Sequence, residues 1–355
     1  MISVLVVDDS AVVRRVVADA LSADLLIQVA GTASNGQIAL EKIERLAPDL
    51  VTLDVEMPVM DGLATLRELR RRWPRLPVIM FSTMTEAGAA ATLTALSTGA
   101  SDYVTKPSNA AGFDAARRSV REQLLPRIHA LCAPRPAAAP IPAPTAAPAR
   151  HRTDLLDAVA VGCSTGGPEA LSRLVDSLPA GLAAPVLVVQ HMPALFTRLF
   201  AERLGRLGGR TVVEADDAQP VRPGTVYIAP GGRHFEVVRR NRTVLTRLHD
   251  GPPENFCRPA VDVLFRSVAG VYGRSALGVV LTGMGRDGRD GCHALRAAGG
   301  EIVVQDEASS VVWGMPGAVA SAGLADAVLT VPGIADHVAR RAAAGQPDRT
   351  VAVSR

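Results

Sequence analysis

A serine at a glycine-rich turn is the first residue that could do chemistry. Ser164 lies in Val-Ala-Val-Gly-Cys-Ser-Thr-Gly-Gly-Pro, residues 159–168, where a short apolar run meets a helix-like segment. Glycines in the turn and a proline at the first helical position suit a sharp strand-to-helix elbow. Such an elbow exposes a side chain beside the unpaired N–H groups of a helix N-terminus. A nucleophile or a bound anion could use that place. The Gly-x-Ser-x-Gly pattern over 162–166 fits the nucleophile, and a phosphate-cradling loop would look similar. His191 follows the apolar run Val186–Gln190, and Asp287 lies in Gly-Met-Gly-Arg-Asp-Gly, 283–288, after the run Ala276–Thr282. Side by side at strand ends, these three would be the nucleophile, base and orienter of acyl transfer. On spacing alone His191 is equally a core histidine, and Asp290 and Asp306 compete with Asp287. The chain order Ser–His–Asp also departs from the Ser–Asp–His order of the α/β-hydrolase fold, which excludes that fold. Thr165, the helix N-terminus after Gly167 and the N–H groups of the Gly283–Gly285 turn are candidate oxyanion donors. One such donor contributes about 3 kcal/mol in a transition state.

A second set of residues sits in the first third of the chain. Asp8 and Asp9 end one apolar run, Asp54 ends another, Ser82 a third, and Lys106-Pro107 follows a fourth. Three carboxylates at one edge repel one another unless a cation lies among them, and hard oxygen donors suit Mg²⁺. A lysine and a hydroxyl opposite could hold the oxygens of a phosphoryl group. Asp54 then becomes the nucleophile toward a phosphodonor, forming an aspartyl phosphate. Taken singly, an Asp-Asp pair is an ordinary helix cap and Ser82 a turn residue. Lys106, one of only two lysines in the chain, would be a solvated charge. The combination at four strand ends is what carries the reading.

Both sets need the same scaffold. Residues 2–131 alternate apolar runs (Ile2–Val7, Ile27–Gly31, Leu50–Asp54, Val78–Ser82, Asp102–Thr105) with amphipathic stretches. From Leu155 the alternation resumes, with an antiparallel hairpin expected near Arg240-Asn241. Short buried strands alternating with helices predict an α/β class: two doubly wound, mostly parallel sheets. Ligands of such sheets bind at the carboxyl ends of the strands. Between the two lies a Pro/Ala-rich stretch that cannot bury a core and favours an extended tether. The expected organisation is therefore domain 1–132, linker 133–152, domain 153–345 and tail 346–355.

Composition narrows the class. The chain has 355 residues, 48% hydrophobic and 21% charged, with a net charge of +3. That balance gives no argument for nucleic acid, and no helix-turn-helix with a basic face is evident. No apolar run approaches the roughly 18 residues of a membrane span, and no signal peptide is recognisable. Cys132, Cys163, Cys257 and Cys292 lack metal-type spacing, which predicts reduced, mostly buried thiols in a cytoplasmic protein.

Residues 2–107 resemble a two-component receiver domain, with Asp8 and Asp9 as the acidic pair, Asp54 as phosphoacceptor, Ser82 as switch hydroxyl and Lys106 with Pro107 as the Lys-Pro motif. The resemblance also implies a main-chain carbonyl ligand for Mg²⁺ at Glu56. Residues 155–343 resemble the catalytic domain of the chemotaxis protein-glutamate methylesterase and protein-glutamine deamidase family. The resemblance rests on Gly-Cys-Ser-Thr-Gly-Gly-Pro (162–168), Val-Gln-His-Met-Pro (189–193) and Arg-Pro-Ala-Val-Asp-Val-Leu-Phe (258–265). It rests equally on Leu-Thr-Gly-Met-Gly-Arg-Asp-Gly (281–288) and Gln-Asp-Glu-Ala-Ser-Ser-Val-Val-Trp-Gly-Met-Pro (305–316). It implies Ser164, His191 and Asp287 as the catalytic residues, with Thr165 and the Met284 N–H as oxyanion donors. It further implies a phosphorylation-activated esterase acting on methyl-accepting chemoreceptors, a chemotaxis histidine kinase as phosphodonor, and no cofactor for the esterase step. The unphosphorylated receiver would then cover the Ser164 edge. The rival reading is a non-enzymatic response regulator whose second domain binds a protein or nucleotide.

Overall fold

The computed structural model describes residues 1–106, 112–133, 155–207 and 209–344. The chain forms two compact units, Met1–Pro136 and Ala137–Arg355. The Lys106–Pro107 bond, most of the 133–152 linker and the 346–355 tail lie outside the described residues.

The first unit alternates strand and helix without interruption. Its strands are β1 (Ile2–Val7), β2 (Ile27–Ala33), β3 (Leu50–Asp54), β4 (Val78–Ser82) and β5 (Asp102–Thr105). Its helices are α1 (Ala11–Leu21), α2 (Gly36–Leu46), α3 (Gly62–Arg72), α4 (Glu86–Thr98) and α5 (Phe113–Cys132). All strand pairs are parallel, in the order β2-β1-β3-β4-β5. β3 and β4 are buried along their whole length, as central strands covered on both faces must be. Side chains Ser10, Asn35, Asp61 and Thr85 cap α1 to α4, each accepting from a first-turn N–H. The caps fix where each helix begins, and so how far each strand-end loop reaches. Gly62 has a packing reason. A Cβ there would lie 2.1 Å from the carbonyl oxygen of Asp54, so only glycine lets α3 start against that strand end.

The second unit carries β6 (Ala158–Cys163), β7 (Val186–Gln190), β8 (Val212–Glu214), β9 (Val226–Ile228), β10 (His234–Arg240), β11 (Thr243–His249), β12 (Ala276–Val280), β13 (Glu301–Gln305) and β14 (Ala327–Leu329). Its helices are α6 (Gly167–Ser177), α7 (Ala194–Leu207), α8 (Val261–Tyr272), α9 (Arg289–Ala297), α10 (Met315–Ser321) and α11 (Val331–Ala344). Seven strands form one parallel sheet in the order β14-β13-β12-β6-β7-β9-β8. The expected hairpin is β10–β11, antiparallel, with Asn241 at φ 55° in its turn. Two doubly wound parallel sheets are thus what the chain builds.

Three elements were not expected from the sequence. β14 is a three-residue strand and α10 a seven-residue helix, both too short for a period to register. α11 does carry helical spacing in its buried Val331, Ile334, Ala335 and Val338, so the pattern continues beyond residue 305. In the core, Leu264, Phe265 and Val268 of α8 pack with Ala160, Val280, Phe235 and Val237. α8 therefore bridges sheet and hairpin, and truncating fully buried Phe265 to alanine would cost about 3–5 kcal/mol.

Candidate active site

β6 lies at the middle of the seven-stranded sheet, between β12 and β7. Ser164 follows β6, His191 follows β7 and Asp287 ends the loop after β12, so three adjacent strands deliver the three residues to one edge. The Ser164 N–H donates to Thr282 O at 3.0 Å, and the His191 N–H donates to Cys163 O at 3.1 Å. Gly166 turns the chain in the left-handed region (φ 75°), and α6 starts one residue later with Pro168 in its first turn. Gly283 is required by close approach. A Cβ there would come within 2.9 Å of Ser164 Cβ and 3.0 Å of its nitrogen. The loop after β12 can thus pass directly over the serine.

His191 Nε2 and Asp287 Oδ2 are 2.9 Å apart. Asp287 is almost fully buried, and its oxygens are well supplied with donors. The Val261 N–H reaches Oδ2 at 2.7 Å, while the N–H groups of Asp262 and Gly288 reach Oδ1 at 3.1 and 3.0 Å. Val261 and Asp262 open α8, so Asp287 caps that helix from another part of the chain. Asp262 Oδ1 in turn accepts from the Gly291 N–H in the first turn of α9, at 2.6 Å. Asp262 of α8 thus caps α9, and Asp287, just before α9, caps α8. Burial raises the Asp287 carboxyl, but His191 and the N–H donors outweigh it and hold it below the usual range. Asp262 goes the other way, pushed up to about 6 by burial and by the charge of Asp287. Burial opposes the His191 imidazolium, while Asp287 and Cys257 favour it, and the net holds His191 above its ordinary value.

The aspartates that composition left open have different partners. Asp290 Oδ1 accepts from Arg289 Nε and Asp306 Oδ1 from the Ser309 N–H, whereas Asp287 reaches His191. Met284 is half-buried, and its N–H makes no hydrogen bond among the described residues. Thr165 is buried, with its carbonyl accepting from Thr282 Oγ1 at 3.0 Å. Among the described residues no hydrogen bond joins Ser164 Oγ to His191. Without substrate such pairs are commonly open.

Three supporting residues carried no sequence signal of their own role. Buried Gln190 donates through Nε2 to Ser164 O at 3.1 Å and His191 O at 3.3 Å, tying the two loops together. Asn255 Nδ2 donates to Asp262 Oδ2 at 2.8 Å and Asp287 Oδ1 at 3.2 Å. Half-buried Cys257 places Sγ 3.6 Å from His191 Nδ1. Gln190 and Asp262 fall inside motifs quoted above, but only the folded geometry shows what they hold.

In the first unit, carboxylate oxygens of Asp8, Asp9 and Asp54 lie within 4.8 Å of one another. Lys106 Nζ is 2.9 Å from Asp8 Oδ2 and 2.7 Å from Asp54 Oδ2. These are ion pairs; neither buried Oδ2 has a well-aligned hydrogen bond among the described residues. Burial pushes Asp54 up to about 6, with Asp8 adding to the shift and Lys106 opposing it. Burial alone would lower Lys106, but the two carboxylates outweigh it and raise it. Mutually repelling hard oxygens that share a single lysine, at a mouth that includes exposed Asp9, fit a small divalent cation. Glu56 donates its N–H toward Asp54 Oδ1 at 3.4 Å. Ser82 ends β4 with its hydroxyl donating to Gly88 O at 3.0 Å.

A receiver-like sheet bearing an acidic pocket, joined to a parallel-sheet unit with a serine, histidine and aspartate at one edge, defines a response regulator with an α/β effector unit. Residues 4–116 match the response regulator receiver domain, and residues 159–338 match CheB methylesterase. The chain belongs to the CheB methylesterase family. It is 53% identical to a protein-glutamate methylesterase/protein-glutamine glutaminase of Nocardioides sp., covering 98% of this chain and 97% of that one. It is 48% identical to a protein of the same description from Trichodesmium erythraeum, over 95% and 98%. The catalytic domain of Thermotoga maritima CheB methylesterase superposes with a TM-score of 0.51 at 40% identity, covering 52% of this chain and 97% of that domain.

Proposed function

We propose that this protein is a phosphorylation-activated serine hydrolase that removes methyl groups from glutamate γ-methyl esters of chemoreceptors. By the same acyl transfer it would deamidate receptor glutamines. The observation that carries the reading is the 2.9 Å His191–Asp287 pair beside the Ser164 elbow, in a chain 53% identical to an enzyme of that description. Both favour catalysis over a binding module.

The His191–Asp287 pair supports the following proton path. The Asp287 carboxylate accepts from Nε2–H, which leaves the Nδ1 lone pair of neutral His191 to take the Ser164 proton. Ser164 Oγ attacks the ester carbonyl, and the oxyanion is stabilised by the Met284 N–H and by Thr165. The imidazolium returns the proton to the departing methoxide, and methanol leaves. Water, deprotonated by His191, then attacks the acyl-serine and releases glutamate. With a glutamine substrate the first leaving group is ammonia. Asp287 orients the imidazole and offsets its charge throughout.

In the first unit Asp54 is the phosphoacceptor, and the donor is the chemotaxis histidine kinase. Asp8, Asp9, Asp54 and the Glu56 carbonyl would hold Mg²⁺, which when bound offsets the negative charge gathered at phosphoryl transfer. Lys106 would neutralise the phosphoryl oxygens, and Ser82 would leave Gly88 O to bind one of them. About two added negative charges at Asp54 would drive that change.

The test is methanol release from methylated receptor by wild type, Ser164→Ala and Asp54→Ala, with and without a small phosphodonor and Mg²⁺. Loss of about 10⁴-fold or more in Ser164→Ala supports the chemistry. Stimulation that disappears in Asp54→Ala supports the switch. Unchanged release in Ser164→Ala would overturn the reading.

A further inference from the structure

The turn that carries Cys257 toward His191 is built at a cost. Glu254 and Cys257 exchange two backbone hydrogen bonds, Glu254 N–H to Cys257 O at 3.1 Å and Cys257 N–H to Glu254 O at 2.8 Å. The two residues between them, Asn255 and Phe256, both sit in the left-handed region, at φ 50° and 64°. Positive φ at both central positions is the geometry of a type I′ turn, which usually recruits glycine. Here Asn255 is held there by its bonds to Asp262 and Asp287. Phe256 stands fully in solvent. The result is a half-buried thiol fixed 3.6 Å from His191 Nδ1.

We infer that His191 Nδ1 and Cys257 Sγ form a binding site for a soft divalent cation, Zn²⁺ above all, and that its occupation silences the esterase. Three observations converge. Zn–N and Zn–S bonds of about 2.05 and 2.3 Å at a tetrahedral angle put the two atoms about 3.5 Å apart, and the separation here is 3.6 Å. A histidine that binds metal typically donates its other ring N–H to a carboxylate, and His191 already offers Nε2 to Asp287 Oδ2 at 2.9 Å. Imidazole and thiolate select Zn²⁺ over Mg²⁺, so the ion expected at the carboxylates of the first unit does not compete here. One donor atom each of His191, Cys257 and Asp287 lie within 4.8 Å of one another. Asp287 is committed to His191 and three N–H groups, so it supports the site, and water completes the coordination.

Binding forms Zn–S and Zn–N bonds and releases to solvent the thiol proton and, where His191 is the imidazolium, the Nδ1 proton. The Nδ1 lone pair is then no longer free for the Ser164 proton. This consequence rests on the esterase reading, whereas the metal site itself rests only on geometry.

The experiment uses the full chain, reduced with a non-thiol reductant, and no phosphodonor. Co²⁺ is added as a spectroscopic probe and Zn²⁺ as the inhibitor. Wild type and Ser164→Ala are expected to show thiolate-to-cobalt absorption at one equivalent, and Cys257→Ala to lose it. Zn²⁺ is expected to lower basal methanol release of wild type by about tenfold or more, reversibly with a chelator, and to leave Cys257→Ala nearly unaffected. No cobalt–thiolate absorption in wild type, or equal absorption in Cys257→Ala, would overturn the site. Cobalt absorption that needs Cys257, in a protein that releases no methanol, would uphold the site and overturn the esterase reading instead.

Discussion

Asp54 and Asp287 occupy comparable stations. Each follows or ends a buried parallel strand, each is 2% exposed, and each lies beside a second carboxylate, Asp8 or Asp262. Yet Asp54 is raised to about 6 while Asp287 is held below its usual range. The donors make the difference. Asp287 has three main-chain N–H groups, two of them from the N-terminus of α8, together with the Asn255 amide and an imidazole on it. Asp54 has a lysine it shares with Asp8 and one long N–H contact at 3.4 Å. Burial with few donors leaves a carboxylate short of partners and ready for a cation or a phosphoryl group. Burial with donors makes a permanent anion that can hold a histidine in one orientation. One sheet edge is left unsatisfied until it is charged; the other is finished in advance.

The comparison is most sharply tested at Asp287. Asp287→Asn should lower methanol release by about 10⁴-fold, because an amide in place of the anion no longer supports the imidazolium. A loss of less than tenfold would mean that the anion at this edge serves packing and capping alone. Asn255→Ala removes one donor from the Asp262–Asp287 pair and should lower kcat by about tenfold with the fold intact by circular dichroism. An effect on KM alone would assign Asn255 to substrate contact and not to positioning. The pH–rate profile should have its acid limb displaced above 6.5, since Asp287 favours the imidazolium and activity needs the neutral ring. A limb below 6.5 would show that burial outweighs the carboxylate.

The smallest effect concerns the other edge. Asp54 has a folded pKa of about 6 against an ordinary 3.8, so stability tied to its protonated form is present at low pH and lost as pH rises through about 6. Asp54→Asn should therefore stabilise the first unit at pH 7 by about 1 kcal/mol, allowing for solvent screening, and by roughly half as much at pH 5. Chemical denaturation at the two pH values checks it. Destabilisation at pH 7 would mean that the Lys106 ion pair outweighs the burial of Asp54, and the contrast with Asp287 would fail.

The sequence by itself determined the alternation of strand and helix, and with it the strand ends where Asp8, Asp54, Ser82, Ser164 and His191 fall. That follows because buried parallel strands are short continuous apolar runs and their loops carry the polar residues. The Ser164 elbow was legible from its glycines and proline, and the family from its long motifs. The short pieces β14 and α10 were not, since three or seven residues show no period. Nor could composition choose Asp287 over Asp290 and Asp306. That choice depends on how far the loop after β12 reaches and on which carboxylate meets the N-terminus of α8. Gln190, Asn255 and Cys257 are likewise decided only by tertiary structure. Their partners lie on other elements, at distances set by Gly283 against Ser164 and by a left-handed turn at Asn255 and Phe256. Local sequence sets which element a residue belongs to. Only packing between elements sets whether a carboxylate finds donors, and therefore what it can do.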